Sequence, residues 1–246
     1  VRFAAVSALG HDGLLRDHNE DSLVVGAWTI CASVTLVPET LMFPIGRPLV
    51  VAVADGLGAH PAGALASTLV VQQLARAGPG LADEQSLRSA IDECNKRIYE
   101  AADRDPRRIT MGTTVAGVVL TADSVFVFNV GDSRVYAWNG FELSRLSIDD
   151  SPPLQPGQTH TTIVTQTLGG YPSYKEIDTH VSVRPLNDAE RYLVCSDGLS
   201  DVVDDKMISR LLSDHRGGKA AFELWKAAIA AGGPDNITLA LVEVER

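Results

Sequence analysis

Five short acidic motifs stand at or near the ends of apolar runs. They are Asn19-Glu20-Asp21, Asp55-Gly56-Leu57-Gly58, Gly131-Asp132-Ser133-Arg134, Ser196-Asp197-Gly198 and Pro234-Asp235-Asn236. A strand scaffold presents carboxylates at its rim in this way, and carboxylates crowded at one rim repel unless a cation holds them. The donors on offer are oxygens, with no His pair and no Cys cluster, which suits a hard ion such as Mg²⁺ or Mn²⁺. Taken singly, each motif is also an ordinary turn or solvated loop. Their repetition is what points to chemistry. Asp55 and Asp197 both close an apolar run and both precede a glycine, which lets backbone pass close to a ligand.

The elements that must position these groups can be read from periodicity and punctuation. Arg2 to Ala8 can pair as a strand, and Leu23 to Leu36, rich in Val, Ile, Thr and Trp, predicts one or two more. Thr35 to Pro48 reads as a solvent-facing connection, with an added hairpin or interaction surface as the alternative, and Leu49 to Ala54 as a strand buried on both faces. Ala62 to Ala77 predicts a helix stopped by Gly78-Pro79. Ser86 to Asp103 predicts a second, with Leu87, Ala90, Ile91, Cys94 and Ile98 on one face. A strand series follows over Thr113 to Thr121, Ser124 to Val130, Arg134 to Trp138 and Phe141 to Leu146, with Asn139-Gly140 as a hairpin signal. Asp149 to His160, with three prolines, predicts an irregular loop. Further strands are expected near Ile177 to Val183, Tyr192 to Cys195 and Ile237 to Val244, and helices near Asp204 to Ser213 and Lys219 to Ala231. Without regular βαβ alternation, this order implies antiparallel sheets layered with helices, an α+β fold.

The chain of 246 residues is long enough to bury a substantial core. A single domain over residues 1–246 is expected. The net charge of −10 argues against nucleic acid, whose phosphates are bound by clustered Lys and Arg. Cys31, Cys94 and Cys195 are widely spaced and suggest neither a disulfide framework nor a zinc site. A reducing, cytoplasmic location is expected. No apolar stretch is long enough to span a bilayer, and no signal peptide is expected from the N-terminal residues.

Six stretches together resemble the PPM/PP2C-type, metal-dependent protein serine/threonine phosphatases, and the form of the Arg16 and Asp55 motifs is similar to the bacterial branch. They are Arg16 to Ser22, Val53 to His60, Gly112-Thr113-Thr114, Asn129 to Arg134, Ser196 to Leu199 and Gly233 to Thr238, in the family's order and spanning almost the whole chain. The resemblance implies a four-layer α/β/β/α sandwich and a two-metal core of Mn²⁺ or Mg²⁺, with a possible third ion. Asp55 would bridge the ions, with the Gly56 carbonyl on one of them. Asp197 and Asp235 would complete the first site, and Asp21 with Glu20 the second, partly through water. Asp132 with Asp197 resembles the carboxylate pair of a third metal site, and Ser133 and Arg134 are expected to orient Asp132.

Arg16 matches the family's phosphate-binding arginine, and a guanidinium fork suits a phosphate monoester. His60 is a candidate general acid, with metal-bound water as the alternative. The other histidines form no metal-ligand spacing. Two ions sharing a site activate water near neutral pH, so hydrolysis of phosphoserine and phosphothreonine needs no phosphoenzyme. Phosphoprotein substrates, a serine/threonine kinase acting in opposition, signalling and a monomeric state are the partner and role expectations. A phosphoprotein-binding pseudophosphatase and a hydrolase of small phosphate monoesters are the competing readings. Relatives usually carry a longer flap than Ser147 to His160, so a more open cleft is expected here.

Overall fold

A computed structural model describes residues 2–57, 62–153, 158, 161–188 and 190–245. In chain order the strands begin with β1 (Phe3–His11), β2 (Ser22–Val25), β3 (Trp28–Cys31), β4 (Glu39–Pro44), β5 (Leu49–Ala54) and the two-residue β6 (Gly56–Leu57). Helices α1 (Ala62–Ala77) and α2 (Glu84–Ala102) follow. Next come β7 (Gly112–Thr113), β8 (Val115–Leu120), β9 (Ser124–Val130), β10 (Arg134–Trp138), β11 (Leu143–Arg145), β12 (Leu168–Gly169), β13 (His180–Pro185) and β14 (Arg191–Cys195). The chain then passes through α3 (Asp197–Ser200), α4 (Asp205–Asp214), α5 (Gly217–Ala230) and β15 (Ile237–Glu245).

Two six-stranded antiparallel sheets carry the structure. One has the order β11-β10-β14-β15-β1-β4 and the other β13-β9-β8-β5-β2-β3, with a small β12-β7-β6 sheet beside them. The period of two explains why strands with no polar alternation are stable here. In β5, Leu49, Val51 and Val53 join the core shared with β1, β14 and β15 of the facing sheet, while Val50, Ala52 and Ala54 pack with Val70, Leu74 and Ile91 of α1 and α2. In β15, Ala240, Val242 and Val244 face the inter-sheet core. Its Leu239 and Leu241 face Leu212, Leu224 and Ala228 of α4 and α5. The outcome is the α/β/β/α layering, with three apolar layers between four layers of structure.

Asp83 caps α2 by accepting the Ser86 backbone N–H at 2.8 Å, and Asp204 caps α4 by accepting that of Met207 at 2.8 Å. Leu87, Ala90, Ile91, Cys94 and Ile98 are all buried, as their helical spacing predicts. The connection expected from Thr35 to Pro48 is instead largely the edge strand β4, which pairs with β1 from Phe3↔Pro44 to Ala8↔Glu39. Leu41 and Phe43 alternate inward against the core, which suffices for an edge strand despite the flanking prolines. The strand expected over Thr113 to Thr121 breaks at Thr114, whose backbone N–H turns to the Asp55 carbonyl at 2.9 Å. The last third holds a smaller shift, since pairing with β9 places β13 at His180–Pro185 rather than Ile177–Val183. Among the described residues no helix is long and apolar enough to cross a membrane.

Candidate active site

The acidic motifs converge where the two large sheets end on a common rim. Asp21 directly precedes β2 and Asp55 directly follows β5, both in one sheet. Asp197 lies two residues beyond β14 and Asp235 two residues before β15, both in the other. Asp132 sits in the turn from β9 to β10, which crosses between the sheets.

Hydrogen bonds across the seam fix this meeting. Ser196 Oγ donates to Asp21 Oδ2 at 2.8 Å, and Asn236 Oδ1 accepts the Glu20 backbone N–H at 2.8 Å. Asn236 Nδ2 donates to the carbonyls of Asp12 at 3.0 Å and His18 at 2.9 Å, so one amide ties the N-terminal loop to the start of β15. Thr113 Oγ1 donates to the Asp55 carbonyl at 2.7 Å. Thr114 Oγ1 accepts the Asp55 N–H at 3.3 Å and shares a 2.7 Å hydrogen bond with Ser133 Oγ.

Two glycines permit the close approach. A Cβ on Gly56 would lie 2.4 Å from the Gly63 carbonyl oxygen and 2.6 Å from that of Glu20. A Cβ on Gly198 would lie 1.9 Å from the Asn236 carbonyl oxygen. Any side chain at either point would push apart the elements that carry Asp55, Asp197 and Asp235.

The electrostatics are those of anions held too close together. Burial pushes the Asp55 carboxyl well above its ordinary value, and the charges of Asp21, Asp197 and Asp132 push it further. Burial raises Asp21, with Asp197 adding to the rise and the Ser196 hydrogen bond opposing it. Asp197 is raised by burial and by Asp235 and Asp201. Burial and Asp197 push Asp132 up to about 7. Glu20 is also raised, first by burial.

Asp21 Oδ1, Asp197 Oδ1 and Glu20 Oε1 are buried without a hydrogen-bond partner. Such atoms are costly unless something else satisfies them, and a hard cation fits a set made of carboxylate oxygens. Among the described residues, no three His, Cys, Asp or Glu side chains close a cage around an ion by themselves. The donors line an open rim, which suits ions that keep several waters in their coordination shell.

Arg16 stands over this rim. Its Nη2 donates to Asp235 Oδ2 at 2.7 Å with the side chain half exposed, and the charges of Asp55 and Glu20 also act on it. The guanidinium is thereby presented to solvent beside the carboxylates. Glu20 lies behind Asp21, with its Oε1 3.7 Å from His18 Nε2. Gly56 is buried in β6, paired with Thr113. His60 lies outside the described residues.

The expectation that Ser133 and Arg134 orient Asp132 is corrected. Ser133 bonds Thr114, and Arg134 pairs with Asp149 at 2.8 Å and reaches the Ser200 carbonyl at 3.3 Å. The guanidinium takes its carboxylate partner from beyond the β10–β11 hairpin instead. Ser196 and Asn236 stand in the acidic motifs without an assigned role, and Asp201 was not singled out. Ser196 and Asn236 are the direct neighbours of Asp197 and Asp235, and a polar residue beside a rim carboxylate was the available signal.

Comparison with known proteins agrees with this geometry. The family model described as protein phosphatase 2C matches residues 44–231. The serine/threonine protein phosphatase PstP of Mycobacterium tuberculosis is 30% identical across 99% of this chain, which covers 45% of that protein. The chain thus spans less than half the length of this relative. The serine/threonine phosphatase stp of Listeria monocytogenes is 33% identical across 80% of this chain and 84% of its own length. The crystal structure of the PstP catalytic domain in complex with two manganese ions superposes with a TM-score of 0.82 at 28% identity, covering 100% of both chains.

Proposed function

This chain belongs to the protein phosphatase 2C family, and from that premise we propose that it is a metal-dependent phosphatase acting on phosphoserine and phosphothreonine in proteins. The observation that carries the reading is the convergence of buried, unpartnered carboxylate oxygens from Asp21 and Asp197 beside Asp55, from both sheets, under a half-exposed arginine.

Asp55, Asp197 and Asp235 would hold one divalent ion and Asp55 and Asp21 a second, with the Gly56 carbonyl and Glu20 assisting and Asp132 with Asp197 available for a third. Mn²⁺ is the favoured occupant because the PstP catalytic domain was crystallised with two manganese ions, and Mg²⁺ shares the same preference for oxygen. Once bound, such ions supply an activated water near neutral pH and offset charge on the phosphoryl group, without a phosphoenzyme. The chain's own residues do the rest. Arg16 swings from Asp235 to a substrate phosphate, where its fork binds two oxygens at once. Ser196 holds the Asp21 carboxylate at the rim, and Asn236 holds the backbone of Glu20 there.

Residues 1–246 act as one phosphatase domain in this reading. The setting is a bacterial cytoplasm, the molecule is a monomer, and the role is to oppose a serine/threonine kinase in signalling. The test is hydrolysis of a phosphothreonine peptide with Mn²⁺, with EDTA, and with Asp197→Asn. Turnover that needs both Mn²⁺ and Asp197 supports the assignment. A folded, Mn²⁺-loaded protein with no turnover would move it to a phosphoprotein-binding role.

A further inference from the structure

We infer that Asp150 is a positioning residue that locks the base of the proline-containing loop to the Gly131-Asp132 turn, and so sets how the protein engages a phosphopeptide beyond its phosphate. The inference rests on the phosphatase reading above for its substrate and on geometry for its mechanism.

Asp150 lies where that loop leaves β11, and its carboxylate and backbone are fully used. Oδ2 accepts the Gly131 backbone N–H at 2.8 Å and Gln166 Nε2 at 2.9 Å, while Oδ1 meets His180 Nε2 at 2.9 Å. Its backbone N–H donates to the Gly131 carbonyl at 3.0 Å, and its carbonyl accepts the Thr165 N–H at 2.7 Å. Gly131 is thus gripped from both its N–H and its carbonyl by one residue. Its φ of +99° places it in a region that only glycine adopts without strain. The loop's outgoing end is held at the same point, because Gln166 also exchanges hydrogen bonds with Asp178, Nε2 to its carbonyl at 3.0 Å and Oε1 from its N–H at 2.7 Å. Both ends of the loop, β13 through His180, and the turn carrying Asp132 therefore meet at one carboxylate.

What the clamp holds in place is a wall. A cavity of about 280 Å³ opens beside Asp132, with Asp201 and Arg134 on the scaffold side and Ser151, Pro152, Pro153 and Thr161 of the loop on the other. A phosphate alone is met by the rim and Arg16. A peptide flanking that phosphate also meets the loop, so its fit depends on where Asp150 sets the loop base. Holding Ser151 to Pro153 and Thr161 in place lowers the ordering cost of binding.

The experiment compares Asp150→Ala, His180→Ala and His180→Gln with the parent on a phosphothreonine peptide and on p-nitrophenyl phosphate, both with saturating Mn²⁺. Amide hydrogen exchange is followed in parallel. For Asp150→Ala, which removes all three side-chain bonds, KM for the peptide rises about tenfold, while kcat for the aryl phosphate stays within about twofold, as expected when orientation rather than chemistry is lost. His180→Ala shows the same split to a smaller degree, and His180→Gln, whose amide can still donate to Asp150, restores the parent values. Protection at the Gly131 and Thr165 amides falls together in Asp150→Ala.

Equal losses on both substrates, or no loss on either, overturn the inference. So does exchange that changes at one end of the clamp only. If the parent protein turns over neither substrate, the phosphatase reading fails, and the exchange data alone then decide whether Asp150 couples the two segments. If Asp150→Ala does not fold, the two His180 variants carry the same comparison.

Discussion

Neutralising one rim carboxylate should make the metal-free protein more stable, and by an amount that depends on pH. Asp132 is suited to the test because it is 8% exposed and burial with Asp197 pushes its carboxyl up to about 7. The ordinary value is near 3.8. A folded-state value above the unfolded one means that the native protein holds the proton more tightly. The stability from this group is therefore fully present below about pH 4 and is lost as pH rises towards 7. Holding the group ionised at pH 8 costs at most about 4 kcal/mol from that difference, and relaxation and water access reduce this to about 2 kcal/mol. Asp132→Asn removes the charge with little change of shape. In EDTA at pH 8, urea unfolding should find the variant more stable by about 2 kcal/mol, or roughly 4–8 °C in Tm. At pH 4 the gap should nearly vanish. Mn²⁺ should stabilise the parent more than the variant, because the ion has one carboxylate fewer to bind. A gap of the same size at both pH values would refute the electrostatic account of this rim.

Further outcomes follow from the same geometry. Asp55→Asn should lower Mn²⁺-dependent turnover by about a thousandfold or more, since it loses a ligand at the centre of the cluster, with circular dichroism unchanged; activity within tenfold of the parent would remove Asp55 from the site. Arg16→Ala should raise KM for a phosphothreonine peptide by about tenfold or more with a smaller effect on kcat, the loss of one charge-assisted anchor. Steady-state kinetics check this, and an unchanged KM would leave Arg16 as a partner of Asp235 only. Gly198→Ala should cost about 2–3 kcal/mol in urea unfolding and weaken Mn²⁺ binding, because the new methyl meets the Asn236 carbonyl at 1.9 Å and backbone must move.

How much of this was legible in the sequence differs by element, and physics explains the difference. The bounds of α1 match the reading from Ala62 to Ala77 because a strong stop, Gly78-Pro79, follows an Ala- and Leu-rich run. β5 was legible because an unbroken apolar run of strand length can only be buried on both faces. β4 was not, because its six residues hold three exposed side chains besides Pro44 and acquire strand form only by pairing with β1, some thirty residues away in the chain. Within the site, the carboxylates that converge were legible as a set, since an aspartate closing an apolar run is unusual on each occasion and more so when repeated. Their supports were not. That Ser196 serves Asp21, across 175 residues, and that Asn236 serves Glu20, across 216, is decided by how the sheets face each other; the local sequence marks a polar neighbour of a carboxylate but not the partner it takes. The same holds for Arg134, which pairs with Asp149 beyond the β10–β11 hairpin.

Those long-range supports say what the acidic rim does to the fold as well as to the chemistry. Each large sheet could satisfy its own backbone without the other, and the inter-sheet core is apolar and tolerant of small slips. The polar seam is not tolerant. Ser196 with Asp21, and Asn236 with Glu20, Asp12 and His18, fix the register of one sheet against the other at the end where Asp55 and Asp197 meet. Carboxylate repulsion opposes that register and the seam hydrogen bonds enforce it, so the rim is held open against its own electrostatics. A divalent cation relieves the opposing term alone. Binding the ion therefore tightens the contact between the sheets, and the mobility of the seam should fall most at the loop carrying Glu20 and Asp21, which is joined to the opposite sheet by these bonds and stands furthest along the chain from its partners.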